Sequence, residues 1–298
     1  MARKPSVAAE SARARREAAL DNVVDAGARE HYADAALYDY EYRRRRADVT
    51  FYRAFAKRHF GGAPGRILEL GAGSGRVTIP LARDGHTVVG IDQSGAMLDK
   101  LRTRIDALPA SVAGRVTALS GDLRGFRLPG AQRFPLAIAA FNVLEHLYTR
   151  GEIDACLRAV AAHLEPDGVF VFDVQLPDLA WLIRDPSKRW AKTRFTDPTT
   201  KRATFYSTNH DYDPISQIPV IRLFYDPADG SKTTGRVVQL TQRKYFPAEL
   251  EALVAHAGFR VLERYGDFSF GPLVASAESQ VLVCQPAAAA IPRRKIRR

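Results

Sequence analysis

The chain is 298 residues long and 46% hydrophobic, enough for one large α/β domain carrying an insertion or for two modest domains with real cores. Its two cysteines, Cys156 and Cys284, exclude a disulfide framework and any paired-cysteine metal site, and they suit a reducing, cytoplasmic setting. The formal charge of +11 points to nucleic acid only if it is spread over the body, but +3 of it lies in residues 1–20 and +5 in the last six residues, leaving about +3 for the rest, an ordinary value for an enzyme.

From the N-terminus, "MARKPSVAAESARARREAAL" is basic without a continuous apolar segment, and no later run approaches the roughly 18 apolar residues of a membrane span, so neither a signal peptide nor a span is expected. Residues 1–27 read as a basic, disordered arm and 286–298 as a basic, disordered tail, more readily solvated than bound to nucleic acid or membrane. Residues 28–65 are expected to form a helical cover. In it Tyr38, Tyr40 and Tyr42 either close a site or pack on the body, and Arg43 to Arg46 read as a solvated face.

From residue 66 strands and helices alternate. "RILEL" (66–70) reads as a buried strand, 75–84 as a helix, "HTVVGID" as a second strand and "SGAMLDKLRTRIDAL" as an amphipathic helix with Met97, Leu98, Leu101 and Ile105 at helical spacing. "RVTALSGD" and "FPLAIAAFN" are the third and fourth strands, "GEIDACLRAVAAHLEPDG" a helix closed by Gly168, and "VFVFDV" the fifth strand. Strict alternation with strands apolar on both faces predicts a doubly wound, mostly parallel α/β sheet over 66–175. Residues 176–246 change rhythm: β-rich runs such as "KRATFYSTNHDY", "IPVIRLFYD" and "GRVVQLTQRKYF" between turn signals predict an antiparallel insertion or lid. A helix from Pro247 to Gly258 and two strands, "FRVLERYG" and "SQVLVCQ", complete the sheet by 285.

The chemistry-bearing residues sit at strand ends. Gly71, Gly73 and Gly75 follow the first strand as GxGxG, neither the dinucleotide GxGxxG nor a P-loop, and Glu69 before them repels phosphate but welcomes an ammonium group. Asp92 closes the second strand, placed to accept from both hydroxyls of a ribose, and Asp122 closes the third, where it accepts from an adenine amino group while the Leu123 amide donates to the ring. The fourth strand ends at Phe141 and Asn142 beside the same crevice. No metal site is expected.

"ILELGAGSGR", "VVGIDQSGAML", "SGDL" and "FPLAIAAFNVLEHL", in that order, resemble the successive motifs of the class I, seven-stranded S-adenosylmethionine-dependent methyltransferases over about residues 50–175 plus the closing helix and strands. The resemblance implies a Rossmann-like core binding S-adenosyl-L-methionine, with S-adenosyl-L-homocysteine as product. It implies cofactor-binding roles for Glu69, Gly71, Ala72, Gly73, Gly75, Arg76, Asp92, Gln93, Met97, Asp122, Leu123, Phe141 and Asn142. A looser likeness of layout ties the β-rich segment to the glycine and amino-sugar N-methyltransferases, which implies a small-molecule acceptor methylated on N or O. His146, with an ordinary pKa near ~6.5, is the candidate general base, or else a residue that lines or caps its helix; Asn142 and Tyr245 are further catalytic candidates. Asp173 and Gln175 are expected to face the substrate side, with Arg243 and Tyr245 approaching from the lid. Alternatives are an RNA or protein methyltransferase using the basic tails, against which "FNVLEH" counts because it lacks the [DNS]PP[YFW] of amino-group nucleic-acid methyltransferases, and a catalytically silent cofactor-binding module. A nicotinamide dehydrogenase is the remotest rival. Oligomeric state is not written in the sequence.

Overall fold

A computed structural model describes residues 22–228 and 235–287; the sequence-predicted arm and tail fall mainly outside them. The chain divides into two compact units, one of residues 1–45 and 177–244, the other of 46–176 and 245–298. The stretch read as a single cover over 28–65 is thus divided at Arg45.

The larger unit is a seven-stranded sheet. Its strands are β1 (Arg66–Leu70), β2 (Thr87–Asp92), β3 (Val116–Ser120), β4 (Phe134–Ala139) and β5 (Leu164–Gln175), and later in the chain β10 (Phe259–Tyr265) and β11 (Ser279–Pro286). Their order is β10-β11-β5-β4-β1-β2-β3. Strands β1 to β5 run parallel, and β11 is antiparallel to both of its neighbours. From β1 the chain winds outward to β2 and β3, then returns to β4 on the other side of β1. The loops after β1 and β4 therefore diverge at a topological switch point, where open α/β sheets form a crevice.

Side chains alternate across the sheet, and two cores follow. Leu68, Leu70, Phe170, Phe172 and Val174 pack on one face beneath the helices Arg150–His163 and Pro247–His256, with Leu157, Val160, Leu250 and Val254. Ile67, Val88, Leu136, Ile138, Val169 and Val171 pack on the other, with Phe51, Tyr52 and Phe55 of the helix Ala47–His59 and Leu81 of Thr78–Arg83. On this second face the apolar row of β1 ends in Glu69 and that of β5 in Asp173, both buried. Two acids thus stand where the period of two would place another aliphatic residue.

Several boundaries differ from those read in sequence. The first crossover helix starts at Thr78, because 71–77 is taken up by the glycine turn. The helix beginning at Arg150 is set by a capping box between Thr149 and Glu152 and ends at His163. Gly168 is not its cap: β5 starts at Leu164, with a register shift against β4 between Phe134 and Leu136, and a Cβ on Gly168 would lie 2.8 Å from the Phe134 carbonyl oxygen.

The other unit holds an antiparallel sheet, β6 (Trp190–Thr196), β7 (Ala203–Asp213), β8 (Ile218–Pro227) and β9 (Arg236–Thr241), paired in that order. The strand β6 went unread in sequence, since Lys192 and Arg194 and a register shift mask its alternation. Ile221, Leu223, Tyr225, Val238 and Leu240 pack with Leu37 of the helix Ala35–Tyr42. Tyr38 and Tyr42 belong to an aromatic cluster with His31, Tyr40 stacks on Phe195, and the Arg43 guanidinium lies 3.5 Å over the Tyr40 ring. Burial pushes the His31 imidazole down to about 4. Glu41, held above its ordinary range by burial, accepts from the Tyr225 hydroxyl at 2.6 Å. Arg243 donates to Gln217 within this unit. Among the described residues no helix is long and apolar enough to cross a membrane.

Candidate functional site

The crevice lies in the larger unit. Its first wall is the turn after β1. Gly71, Gly73 and Gly75 all have positive φ, 67°, 54° and 86°, a region open to glycine at little cost. The three are otherwise unlike. A Cβ on Gly71 would meet Val143 Cγ2 at 2.4 Å and one on Gly75 would meet Leu101 Cδ1 at 2.4 Å, whereas one on Gly73 would meet only the Gly71 carbonyl oxygen, at 3.9 Å. Gly71 and Gly75 thus allow close packing, and Gly73 leaves bare backbone facing open space. Ala72 is buried, and its amide donates to Ile91 of β2.

Asp92 fastens this turn to the end of β2: one carboxylate oxygen accepts from the Gly73 amide at 2.8 Å and the other from Ser94 at 2.8 Å. With the Gln93 amide as a third donor, the carboxylate keeps one lone pair for a hydroxyl donor. Burial holds Asp92 above the usual carboxylate range against the pull of these amides. Gln93 beside it is exposed, while Met97 is buried in the first turn of Gly95–Asp106. Glu69 lies behind the turn, and one of its oxygens accepts from the Thr78 hydroxyl at 2.6 Å. Burial pushes its carboxyl up to about 8, opposed by the Thr78 bond and by Arg76.

Arg76 does not reach into the crevice as a free cation. It forks onto Asp48 at 2.9 and 2.6 Å, with its guanidinium 4.6 Å over the Phe141 ring. Arg104, the other arginine at the turn, donates to Ser74. The electrostatic character of the site is therefore set by carboxylates, which suits a cationic ligand and opposes a phosphate.

Asp122 is exposed at the end of β3 and is engaged by Arg124 through both the backbone amide and the guanidinium. The Arg124 bonds hold it below the ordinary carboxylate range, and Arg124 also reaches Glu152 at 3.0 Å. Leu123 is half-buried.

The second wall is the loop after β4. Phe141 and Asn142 have φ of 70° and 60°, left-handed values that cost non-glycine residues about 1–3 kcal/mol each. Both amides donate to Asp173, at 2.8 and 3.1 Å. Asp173 does not face a substrate, as read in sequence: it is 1% exposed and also accepts from the Tyr52 hydroxyl at 2.6 Å. Burial raises its pKa against these three donors. In return, Glu145 of the loop accepts from the Gln175 amide at 2.7 Å. His146 is half-buried, with Nδ1 3.2 Å from the Tyr148 hydroxyl.

Tyr245 lies elsewhere. It is 0% exposed, packs in the first core and donates its hydroxyl to the Leu147 carbonyl; it starts the helix Pro247–His256 segment of the larger unit instead of reaching in from the β-rich unit, so its hydroxyl is not at hand for catalysis. Asp48, Tyr52, Thr78 and Glu145 were not singled out in sequence. The signal for two of them exists: Asp48 and Tyr52 are four apart on the buried face of Ala47–His59, a polar pair on an otherwise apolar stripe. Among the described residues no group of three or more His, Cys, Asp or Glu could hold a metal ion.

Residues 67–168 match the family model described as a methyltransferase domain. Over 146 residues the chain is 34% identical to the dTDP-3-amino-3,6-dideoxy-alpha-D-glucopyranose N,N-dimethyltransferase of Streptomyces fradiae, covering 47% of this chain and 52% of that one. It is 25% identical over 195 residues to the dTDP-3-amino-3,4,6-trideoxy-alpha-D-glucopyranose N,N-dimethyltransferase of Streptomyces venezuelae, covering 65% and 75%. Among solved structures it is similar to the CcbJ methyltransferase of Streptomyces caelestis, with a TM-score of 0.70, 28% identity and coverage of 88% and 99%.

Proposed function

We propose that this chain, which belongs to the class I S-adenosylmethionine-dependent methyltransferases, transfers the methyl group to an amine nitrogen of a small-molecule acceptor. The observation that supports the donor site is the set of carboxylates around the turn: Glu69 and Asp92 flank bare glycine backbone at the switch point, while Arg76 is neutralised by Asp48. A donor carrying an ammonium, a sulfonium and a ribose fits that set, and a dinucleotide with its pyrophosphate does not.

In this reading Glu69 receives the ammonium group. Asp92 takes the ribose hydroxyls, and Gln93 borders them. Asp122 takes the adenine amino group while the Leu123 amide donates to the ring, for which Arg124 must give way. The backbone of Gly71, Ala72, Gly73 and Gly75 lines the amino-acid end. Arg76 steadies that end from behind, Met97 offers an apolar wall, and Phe141 and Asn142 lie under the transferred group. When bound, S-adenosylmethionine supplies an already activated methyl electrophile. What remains for the chain is to orient the acceptor and exclude water, effects worth about 7–11 kcal/mol for well-aligned reactants, and to take a proton. His146, oriented by Tyr148, is the base we assign.

Nitrogen is favoured as acceptor atom because both amino-sugar relatives are named as N,N-dimethyltransferases. A hydroxyl acceptor is the second reading, motivated by matches to ubiquinone biosynthesis O-methyltransferases, which are shorter, at 36–41% of this chain. Buried, unpaired Cys156 and Cys284 agree with a reducing, cytoplasmic setting. The test is incubation of the full chain with S-adenosylmethionine and a panel of amino sugars, amino acids and phenols, read by mass. Methylated amines with S-adenosylhomocysteine as co-product support the proposal; methylation confined to phenols or alcohols moves the reaction to oxygen, and no product with any acceptor despite donor binding favours a silent binding module.

A further inference from the structure

Phe141 and Asn142 are the unusual backbone of the crevice. Two consecutive non-glycine residues hold φ of 70° and 60°, and such a pair persists only where its surroundings over-determine it. The restraints, Asp173 of β5 and Arg76 of the glycine turn, are both anchored on one helix. Tyr52 of Ala47–His59 donates to Asp173 at 2.6 Å, and Asp173 accepts from the Phe141 and Asn142 amides. One turn earlier on the same helix, Asp48 forks onto Arg76, whose guanidinium covers the Phe141 ring. Residues four apart share a helix face. The Phe141 backbone and ring are thus both held through the same helix face, while Val143 next in line fills the space beside Gly71 that a Cβ would need.

We propose that the helix Ala47–His59 is the positioning element of the donor site: Tyr52 through Asp173, and Asp48 through Arg76, hold the Phe141–Asn142 turn in the left-handed geometry the methyl donor requires. Tyr52, Asp48 and Asp173 are positioning residues, since each acts through another group. The proposal rests on the reading that this turn borders the donor. Both amides share Asp173 as acceptor. Amide–carboxylate bonds are worth more than neutral ones, and two of them on one buried carboxylate offset the cost of two left-handed residues.

The test uses the full chain with S-adenosylhomocysteine as probe. Calorimetry gives its affinity, and hydrogen exchange of the segment 139–147 gives the state of the turn. Asp173→Asn should weaken binding about tenfold or more and speed exchange of the segment by a similar factor, about tenfold. Tyr52→Phe, which removes a single hydroxyl and leaves the fold intact, should act in the same direction by about three- to tenfold. Asn142→Gly placed on Asp173→Asn supplies a residue at ease with positive φ; it should recover about threefold or more of the lost affinity without restoring the melting temperature. A general loss of stability would not be rescued in that way. Affinity unchanged in Asp173→Asn and Tyr52→Phe, or no recovery with Asn142→Gly, overturns the proposal. Failure of the unmutated protein to bind the probe overturns the donor-site reading instead, and exchange then judges the brace on its own.

Discussion

The Gly73 amide donates to Asp92 at 2.8 Å, so the acid at the end of β2 and the barest residue of the turn after β1 form one unit. Asp92→Ala removes both that bond and the acceptor assigned to the ribose. With charge-assisted bonds worth about 1.5–3 kcal/mol each and the ribose hydroxyls losing their acceptor, affinity for S-adenosylhomocysteine should fall about a hundredfold or more. Asp122→Ala should cost less, about threefold, because Asp122 is exposed and already paired with Arg124. Calorimetry on the two variants that ranks them in the opposite order would contradict the assignment.

The glycines of the turn should separate by cause. Gly71→Ala meets Val143 at 2.4 Å in addition to its positive φ, so it should lower stability by about 2–4 kcal/mol, of which Val143→Ala restores a part. Gly73→Ala meets nothing closer than 3.9 Å and should cost about 1 kcal/mol of stability while abolishing donor binding, since its methyl group enters the crevice. Denaturant melts paired with calorimetry distinguish the two.

Glu69 gives a pH signature. Its folded pKa of about 8 lies above the ordinary 4.5, so the folded state binds the extra proton between those values. The stabilisation is complete below pH 4.5, declines as pH rises through about 8, and changes by at most about 1.4 kcal/mol per pH unit. Glu69→Gln should flatten this decline in thermal melts of the ligand-free protein from about pH 5 to 8. Binding a ligand with an ammonium group should release a proton near neutrality; heats of binding that do not depend on the ionisation enthalpy of the buffer would disprove that coupling.

Tyr245→Phe separates packing from catalysis. It deletes a hydroxyl bonded to the Leu147 carbonyl in the core, so a loss of about 1 kcal/mol in stability is expected, with donor affinity and the pH profile of turnover unchanged. His146→Ala should instead lower turnover of an amine acceptor about a hundredfold or more below pH 7, with donor affinity retained. Turnover unchanged across pH would remove His146 from the role of base.

Sequence by itself determined the parallel core, its strand order of appearance and the glycine, Glu69 and Asp92 landmarks. Each of these is a local signal: apolar runs of strand length, helical spacing and a turn whose φ values require glycine. It also carried the β-rich character of 176–246, though not the strand β6, where basic residues hide the alternation. Tertiary structure alone decided which polar groups meet. Asp173 looked like a strand-end acid facing a ligand, yet it is consumed by Tyr52, 121 residues earlier in the chain, and by the Phe141 and Asn142 amides. Tyr245 looked like a lid residue and is core. Arg76 reads as a motif residue at the cofactor and Asp48 goes unread, yet the two form a partly buried ion pair once β1 and the helix Ala47–His59 are packed. A carboxylate's role depends on which donors desolvate with it, and that pairing is set by packing across long loops, where no local periodicity records it.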